Sequence, residues 1–202
     1  MRILNIAAGK FKPLDLTSML PTYTVNVDTS YFTKVDPEAI ESRVHSWERD
    51  GDRITEEGHL NIDVFEFMER TTLLFDRVCI YRFLEHITFS QVNYFTYLVS
   101  TVLRPGGDVD VIVPDYTILA EMILNEEGIF KGDPCTDIQA HNITITTELM
   151  NEPSCPHASI WTQARMKYFW ELEKRFKVTS QRSGFKFDGR DLYLRATMER
   201  VE

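Results

Sequence analysis

The chain has 202 residues, 43% of them hydrophobic, enough for one well-packed domain. Its formal charge is −9 with Lys and Arg scattered rather than clustered, which argues against a duplex or long RNA as partner. No apolar run approaches membrane-spanning length, and the N-terminus enters a strand with no basic leader or secretory segment, so the expectation is a soluble, cytoplasmic protein. Cys79, Cys135 and Cys155 form no CxxC or Cys/His metal pattern, and no metal site is expected. Cys79 lies in an apolar run and reads as a core thiol. The other two share a loop-rich region and could pair only in an oxidising setting.

In chain order, Ile3, Leu4 and Ile6 form an apolar run that breaks into Ala7-Ala8-Gly9. That is how a buried parallel strand reads when it ends in a turn whose small side chains let backbone approach a ligand. From Lys10 to Pro21 only a short helical patch, Leu14 to Leu20, separates two prolines. A second strand, Tyr23 to Val27, stops at Asp28. Asp36-Pro37-Glu38 is a helix start, followed by Ile40, Val44 and Trp47 at helical spacing. A third strand is expected around Leu60 to Phe65, containing Asp63, and a fourth at Arg77 to Tyr81, led in by Asp76. Ser90 is the expected cap of a helix carrying Val92, Phe95, Leu98, Val99 and Val102 on one face. Pro105-Gly106-Gly107 reads as a turn, and Val109 to Val113 as a fifth strand that halts at Pro114-Asp115.

Strands alternating with helices give βαβ units and a parallel sheet covered on both faces. After a helix at about residues 162–176, the runs 176–181 and 192–199 read as a hairpin. The expected fold is therefore a single α/β domain over residues 1–202, a Rossmann-like, doubly wound, mostly parallel sheet with a C-terminal antiparallel hairpin strand. Residues at about 128–160 hold prolines, two cysteines and two histidines with little periodicity, and are expected to form a lid or substrate wall.

Ligands of open parallel sheets sit beyond the carboxyl ends of the strands. Here those ends offer Ala7-Ala8-Gly9, Asp28, Asp63, Tyr81-Arg82 and Pro114-Asp115-Tyr116. Small residues, carboxylates and one Arg suit a ligand with hydroxyls and an amine better than a pyrophosphate. A carboxylate ending the second strand about 20 residues after the first turn suits ribose hydroxyls. One glycine stands where the GxGxxG pattern needs three, which disfavours a nicotinamide-dependent oxidoreductase, and the loop GxxxxGK[ST] is absent.

Several stretches together resemble the class I S-adenosylmethionine (SAM)-dependent methyltransferases, in particular the short ones of surface-polysaccharide gene clusters. They are Leu4-Asn5-Ile6-Ala7-Ala8-Gly9, Asn26-Val27-Asp28, the run from Phe75 through Leu84-Glu85-His86-Ile87, and Leu103-Arg104-Pro105-Gly106-Gly107 with Val113-Pro114-Asp115. The likeness spans roughly residues 1–120. It implies that Ala7, Ala8 and Gly9 line the methionine end of SAM and that Asp28 holds the ribose hydroxyls. By the same resemblance Asp63 and Val64 meet the adenine, Tyr81 flanks the sulfonium, and Arg82 belongs to the same cofactor-binding set. One departure is Ala7, where the family prefers glycine.

The segment Arg82-Phe83-Leu84-Glu85-His86 resembles an ExxEH metal-binding element with its first acid replaced. His86 is read either as a residue that packs near the next helix or as a general base toward a substrate hydroxyl. His157, in Pro156-His157-Ala158-Ser159, is either a substrate-facing group or a helix cap, and Asp115 with Tyr116 is either an acid–base pair or turn chemistry. His141 lies in the same late segment. Trp161, Tyr168, Phe169 and Trp170 are expected in the core or at its rim. These readings lead to a SAM-dependent methyltransferase acting on a small molecule, sugar or glycan precursor, with a non-catalytic binding or assembly protein of the same fold as the alternative.

Overall fold

The structure, a computed structural model, describes residues 1–6, 23–27, 57–60, 63–124, 158–172, 174–187 and 190–201. Strands β1 (Arg2–Ile6), β2 (Tyr23–Val27) and β3 (Glu57–Leu60) pair in parallel, and β4 (Phe75–Tyr81) lies on the other side of β1. Beyond it come β5 (Leu103–Pro114), then β7 (Arg190–Arg200) and β6 (Phe176–Phe187), both paired antiparallel. The seven described strands run in the order β3-β2-β1-β4-β5-β7-β6. This is the doubly wound, mostly parallel sheet that the alternation of elements predicts, finished by an antiparallel hairpin. The chain winds outward from β1 in one direction and from β4 in the other, so the crevice between winding directions opens at the carboxyl ends of β1 and β4, where Ile6 stands beside Ile80.

Between the strands, the described helices are α1 (Val64–Arg70), α2 (Phe89–Val102), α3 (Tyr116–Leu124) and α4 (Gln163–Glu171). Several boundaries correct the sequence reading. The third strand ends at Leu60 rather than reaching Phe65, and Val64 opens α1. The cause is Asp63, whose Oδ1 accepts from the amides of Phe65 at 2.9 Å and Glu66 at 3.2 Å and so starts a helix where the third strand was expected to continue. In α2 the cap is Thr88 rather than Ser90. Its amide donates to Gln91 Oε1 at 2.9 Å, and the Ser90 hydroxyl lies 2.8 Å from that of Thr88.

Pro105-Gly106-Gly107 lies within β5 as an irregularity, where the register with β4 shifts between Phe75 and Arg77. Gly106 has φ +74°, and a Cβ on Gly107 would come within 2.9 Å of the Asp76 carbonyl oxygen. The final helix is shorter than expected and the hairpin strands longer. Register shifts at Val178/Ser180 and Arg182/Phe185 carry β6 past the breaks that made its run read as six residues.

The two faces of the sheet differ. On one, Leu4, Ile6, Val78, Ile80, Val109, Val111 and Val113 pack with Phe67 of α1, Phe95 of α2 and Trp170 of α4 in a large apolar cluster. Trp161 and Trp170 are buried there and Tyr168 is exposed at its rim, as expected of a core and its margin. The other face carries a smaller cluster, Ile3, Cys79, Tyr81, Ile112 and Tyr193, set among buried polar groups. The expected helix from Asp36 through Trp47, the patch Leu14 to Leu20, Cys135, Cys155 and His141 lie outside the described residues.

Candidate functional site

The carboxyl ends of β4 and β5 bring together three segments. The first leaves β4 at Tyr81. Arg82 follows with φ +56°, left-handed backbone that turns the chain sharply, while its amide still donates to the Ile112 carbonyl at 2.8 Å. A 3-10 turn, Leu84–His86, then leads into α2. The second segment is Ala158 to Trp161, which precedes α4. The third is Asp115-Tyr116 at the end of β5.

Hydrogen bonds join all three. The amides of Ala158 and Ser159 both donate to the Glu85 carbonyl, at 2.6 and 3.1 Å. The Ser159 hydroxyl donates to the Leu84 carbonyl at 2.7 Å and accepts from the Trp161 indole at 2.9 Å. The Tyr116 amide donates to the Trp161 carbonyl at 3.1 Å. Leu84, Glu85, Ser159, Trp161 and Asp115 are all buried, so these bonds lie away from competing water.

Each expected site residue can now be placed. Asp63 sits just past β3 as the cap of α1. Both amide bonds fall on Oδ1, and Oδ2 takes part in neither. Val64 is buried in the apolar cluster. Tyr81 stands at the end of β4, but its ring is fully enclosed and its hydroxyl donates to Asp110 at 2.7 Å. That carboxylate is also gripped by Arg195, through Nε at 2.9 Å and Nη2 at 3.0 Å. Arg82 and His86 are half-buried on either side of the Phe83–Leu84 step.

For Asp115, open between an acid–base group and turn chemistry, the bonds observed are those of a turn. Its Oδ1 accepts from the Thr117 amide at 3.0 Å, its backbone carbonyl accepts from Leu119, and its Oδ2 is taken by the Ser183 hydroxyl. A fully buried carboxylate engaged on both oxygens caps α3. Ala7, Ala8, Gly9, Asp28, His157 and all of the wall segment before Ala158 lie outside the described residues.

No group of three or more His, Cys, Asp or Glu suited to a metal ion occurs among the described residues. Nor is any described helix long and apolar enough to cross a membrane. Cys79, beneath the site on the polar face, is buried, and desolvation with the Asp110 charge nearby pushes its thiol up to about 12. It is a core thiol, as its apolar run suggested. What sequence reasoning missed is the joint between Ser159 and Leu84. The partners are 75 residues apart and no local spacing signals a hydroxyl that caps a distant carbonyl.

No family model matches the chain, and no curated protein does. Solved structures do. An N-methyltransferase, NodS, from Bradyrhizobium japonicum superposes with a TM-score of 0.52 at 12% identity, over 100% of this chain and 86% of that one. A SAM-dependent methyltransferase from Clostridium acetobutylicum gives 0.57 at 10% identity, over 100% and 84%. The 1,6-didemethyltoxoflavin-N1-methyltransferase of Burkholderia thailandensis, solved with its substrate and S-adenosylhomocysteine, gives 0.54 at 14% identity, over 100% and 71%. At these identities the likeness is one of fold: the chain has the architecture of class I SAM-dependent methyltransferases.

Proposed function

We propose that the protein is a SAM-dependent methyltransferase whose cofactor site lies at the carboxyl ends of β1 to β4. The observation that carries this is the strand order, with its switch point between β1 and β4 and its antiparallel β7, in a fold whose neighbours include enzymes solved with S-adenosylhomocysteine. Among the described residues, Asp63 suits such a ligand. The Asp63 carboxylate keeps Oδ2 clear of its capping bonds, so it can accept from an adenine amine without releasing the helix. When bound, the cofactor supplies an activated methyl group.

The chain's own residues then have separable tasks. Ala7 to Gly9 give close backbone approach, and Asp28 accepts from the ribose hydroxyls. Val64 and Tyr81, both buried, back the adenine and sulfonium positions from within the two layers, and Arg82 stands at the end of β4 beside them. His86 takes a proton where the acceptor is a hydroxyl, and His157 faces the acceptor from the wall segment at about 128–160. Most of the rate would come from holding the reactants in near-attack geometry. Within this proposal the acceptor is a small molecule, sugar or glycan precursor, and the setting is the cytoplasm. The acidic balance supports this over nucleic acid, as does the small-molecule substrate of the Burkholderia neighbour.

Calorimetry with SAM and S-adenosylhomocysteine tests the proposal. Heat with both is expected, and Asp28→Ala should weaken binding by about 1.5–3 kcal/mol, the scale of a charge-assisted hydrogen bond. No heat at millimolar ligand would overturn it and favour a binding or assembly protein of the same fold.

A further inference from the structure

We propose that Ser159 is a positioning residue: its buried hydroxyl sets where the Leu84–His86 turn stands, and through that turn the imidazole of His86. The proposal rests on His86 being the acid–base group toward the acceptor. A single turn of 3-10 helix leaves most of its carbonyls without partners in the turn itself. The bond it does make at Leu84, from the Ile87 amide, is long at 3.4 Å. Ser159 supplies the better donor at 2.7 Å, and the Glu85 carbonyl takes two amides from the same incoming segment. Three bonds from two consecutive residues therefore fix two consecutive carbonyls, and His86 is the next residue along.

The direction of the hydroxyl is itself fixed. Because the Trp161 indole can only donate, the Ser159 oxygen must accept from it and point its own hydrogen at Leu84. The indole is held in turn by edge contacts to Phe89 and Phe169, with ring centroids 5.7 and 5.8 Å away. Ser159 thus links a rigid aromatic group before α4 to a turn that the left-handed Arg82 backbone has just redirected. Without the hydroxyl, the two amide bonds remain, but the Leu84 end of the turn is left on its long internal bond.

The test is the NMR titration of His86 in the full-length protein, with its signal assigned by His86→Gln. Ser159→Ala should move the His86 midpoint by about 0.3 pH unit or more, a roughly twofold change in proton affinity. Ser159→Thr, which keeps a hydroxyl, should restore it, and Trp161→Phe, which keeps the bond to Leu84, should shift it less than Ser159→Ala does. Affinity for S-adenosylhomocysteine should stay within about twofold in Ser159→Ala, since the change lies on the acceptor side. An unchanged His86 midpoint in Ser159→Ala, with the Trp161 indole resonance displaced, would overturn the proposal. So would equal shifts in Ser159→Ala and Trp161→Phe, which mark general loosening. A wild-type protein that binds no S-adenosylhomocysteine would refute the methyltransferase reading separately, and the ligand-free titration would still decide the role of Ser159.

Discussion

The two faces of this sheet are held by different physics. On the side of α1, α2 and α4, nearly every inward position is aliphatic or aromatic, and rings meet in series: Phe65 on Phe95 at 5.8 Å, Phe95 on Phe83 at 5.3 Å. On the opposite side the inward positions include Asn5 and Asn26, bonded at 2.9 Å, and Asp110 held between Tyr81 and Arg195. The apolar face depends on area removed from water, which is non-directional and tolerant of detail. The polar face depends on each group meeting its own partner, and a missing partner leaves a buried charge or dipole exposed to a low dielectric. Tyr81 belongs to that second face and ends β4 at the crevice, so the polar layer is where fold and candidate site meet.

Removing a ring from the apolar face should have the largest effect. Phe95 is fully buried between Phe65 and Phe83, and Phe95→Ala should cost about 3–5 kcal/mol, read as a lowered urea midpoint with little change in slope. A loss under about 1 kcal/mol would mean that the cluster collapses into the gap and the contrast between faces is overstated.

The polar face should break differently. Arg195→Ala leaves Asp110, 1% exposed, with the Tyr81 hydroxyl still donating to it, and should cost toward the lower end of about 3–5 kcal/mol because the arginine is itself 21% exposed. Replacing the set together, with Arg195→Met, Asp110→Leu and Tyr81→Phe, should cost less than Arg195→Ala alone, since the Asp110 carboxylate is then removed along with its donors. If the triple variant proves the worse of the two, the network contributes stability outright rather than specificity.

The same contrast explains how much could be read from the sequence. The apolar strands announced themselves as runs (Ile3-Leu4, Val109 to Val113), and α2 showed its face through Val92, Phe95, Val99 and Val102, because burial repeats with the period of the element. The parallel, doubly wound character of the sheet followed from the alternation of strands and helices. What was misread or left open turned on single directed bonds. Asp63 reads as part of a strand until its Oδ1 is seen accepting two amides, and Asp115 stays open between an acid and a turn residue until Ser183 and Thr117 are seen on its oxygens. Ser159 and Leu84 are a further case. A bond between distant segments has no period, so no window along the chain contains it.

The smallest effect should come from Cys79 at neutral pH, and its growth at high pH is what makes it informative. Desolvation first, and the Asp110 charge second, push the folded thiol up to about 12 against an ordinary value of 9.0. The unfolded chain therefore sheds this proton near pH 9 while the folded one keeps it until near 12. The stability linked to this group is present in full below the unfolded value and falls as pH rises, by at most about 1.4 kcal/mol per pH unit for one proton. Urea unfolding between pH 8 and 10.5 should thus show a steeper decline in the natural protein than in Cys79→Ala, the two curves running parallel below pH 8.5. Curves that stay parallel throughout would mean that Cys79 ionises in the folded state as readily as in water, and that the layer beneath the site is wetter than its burial implies.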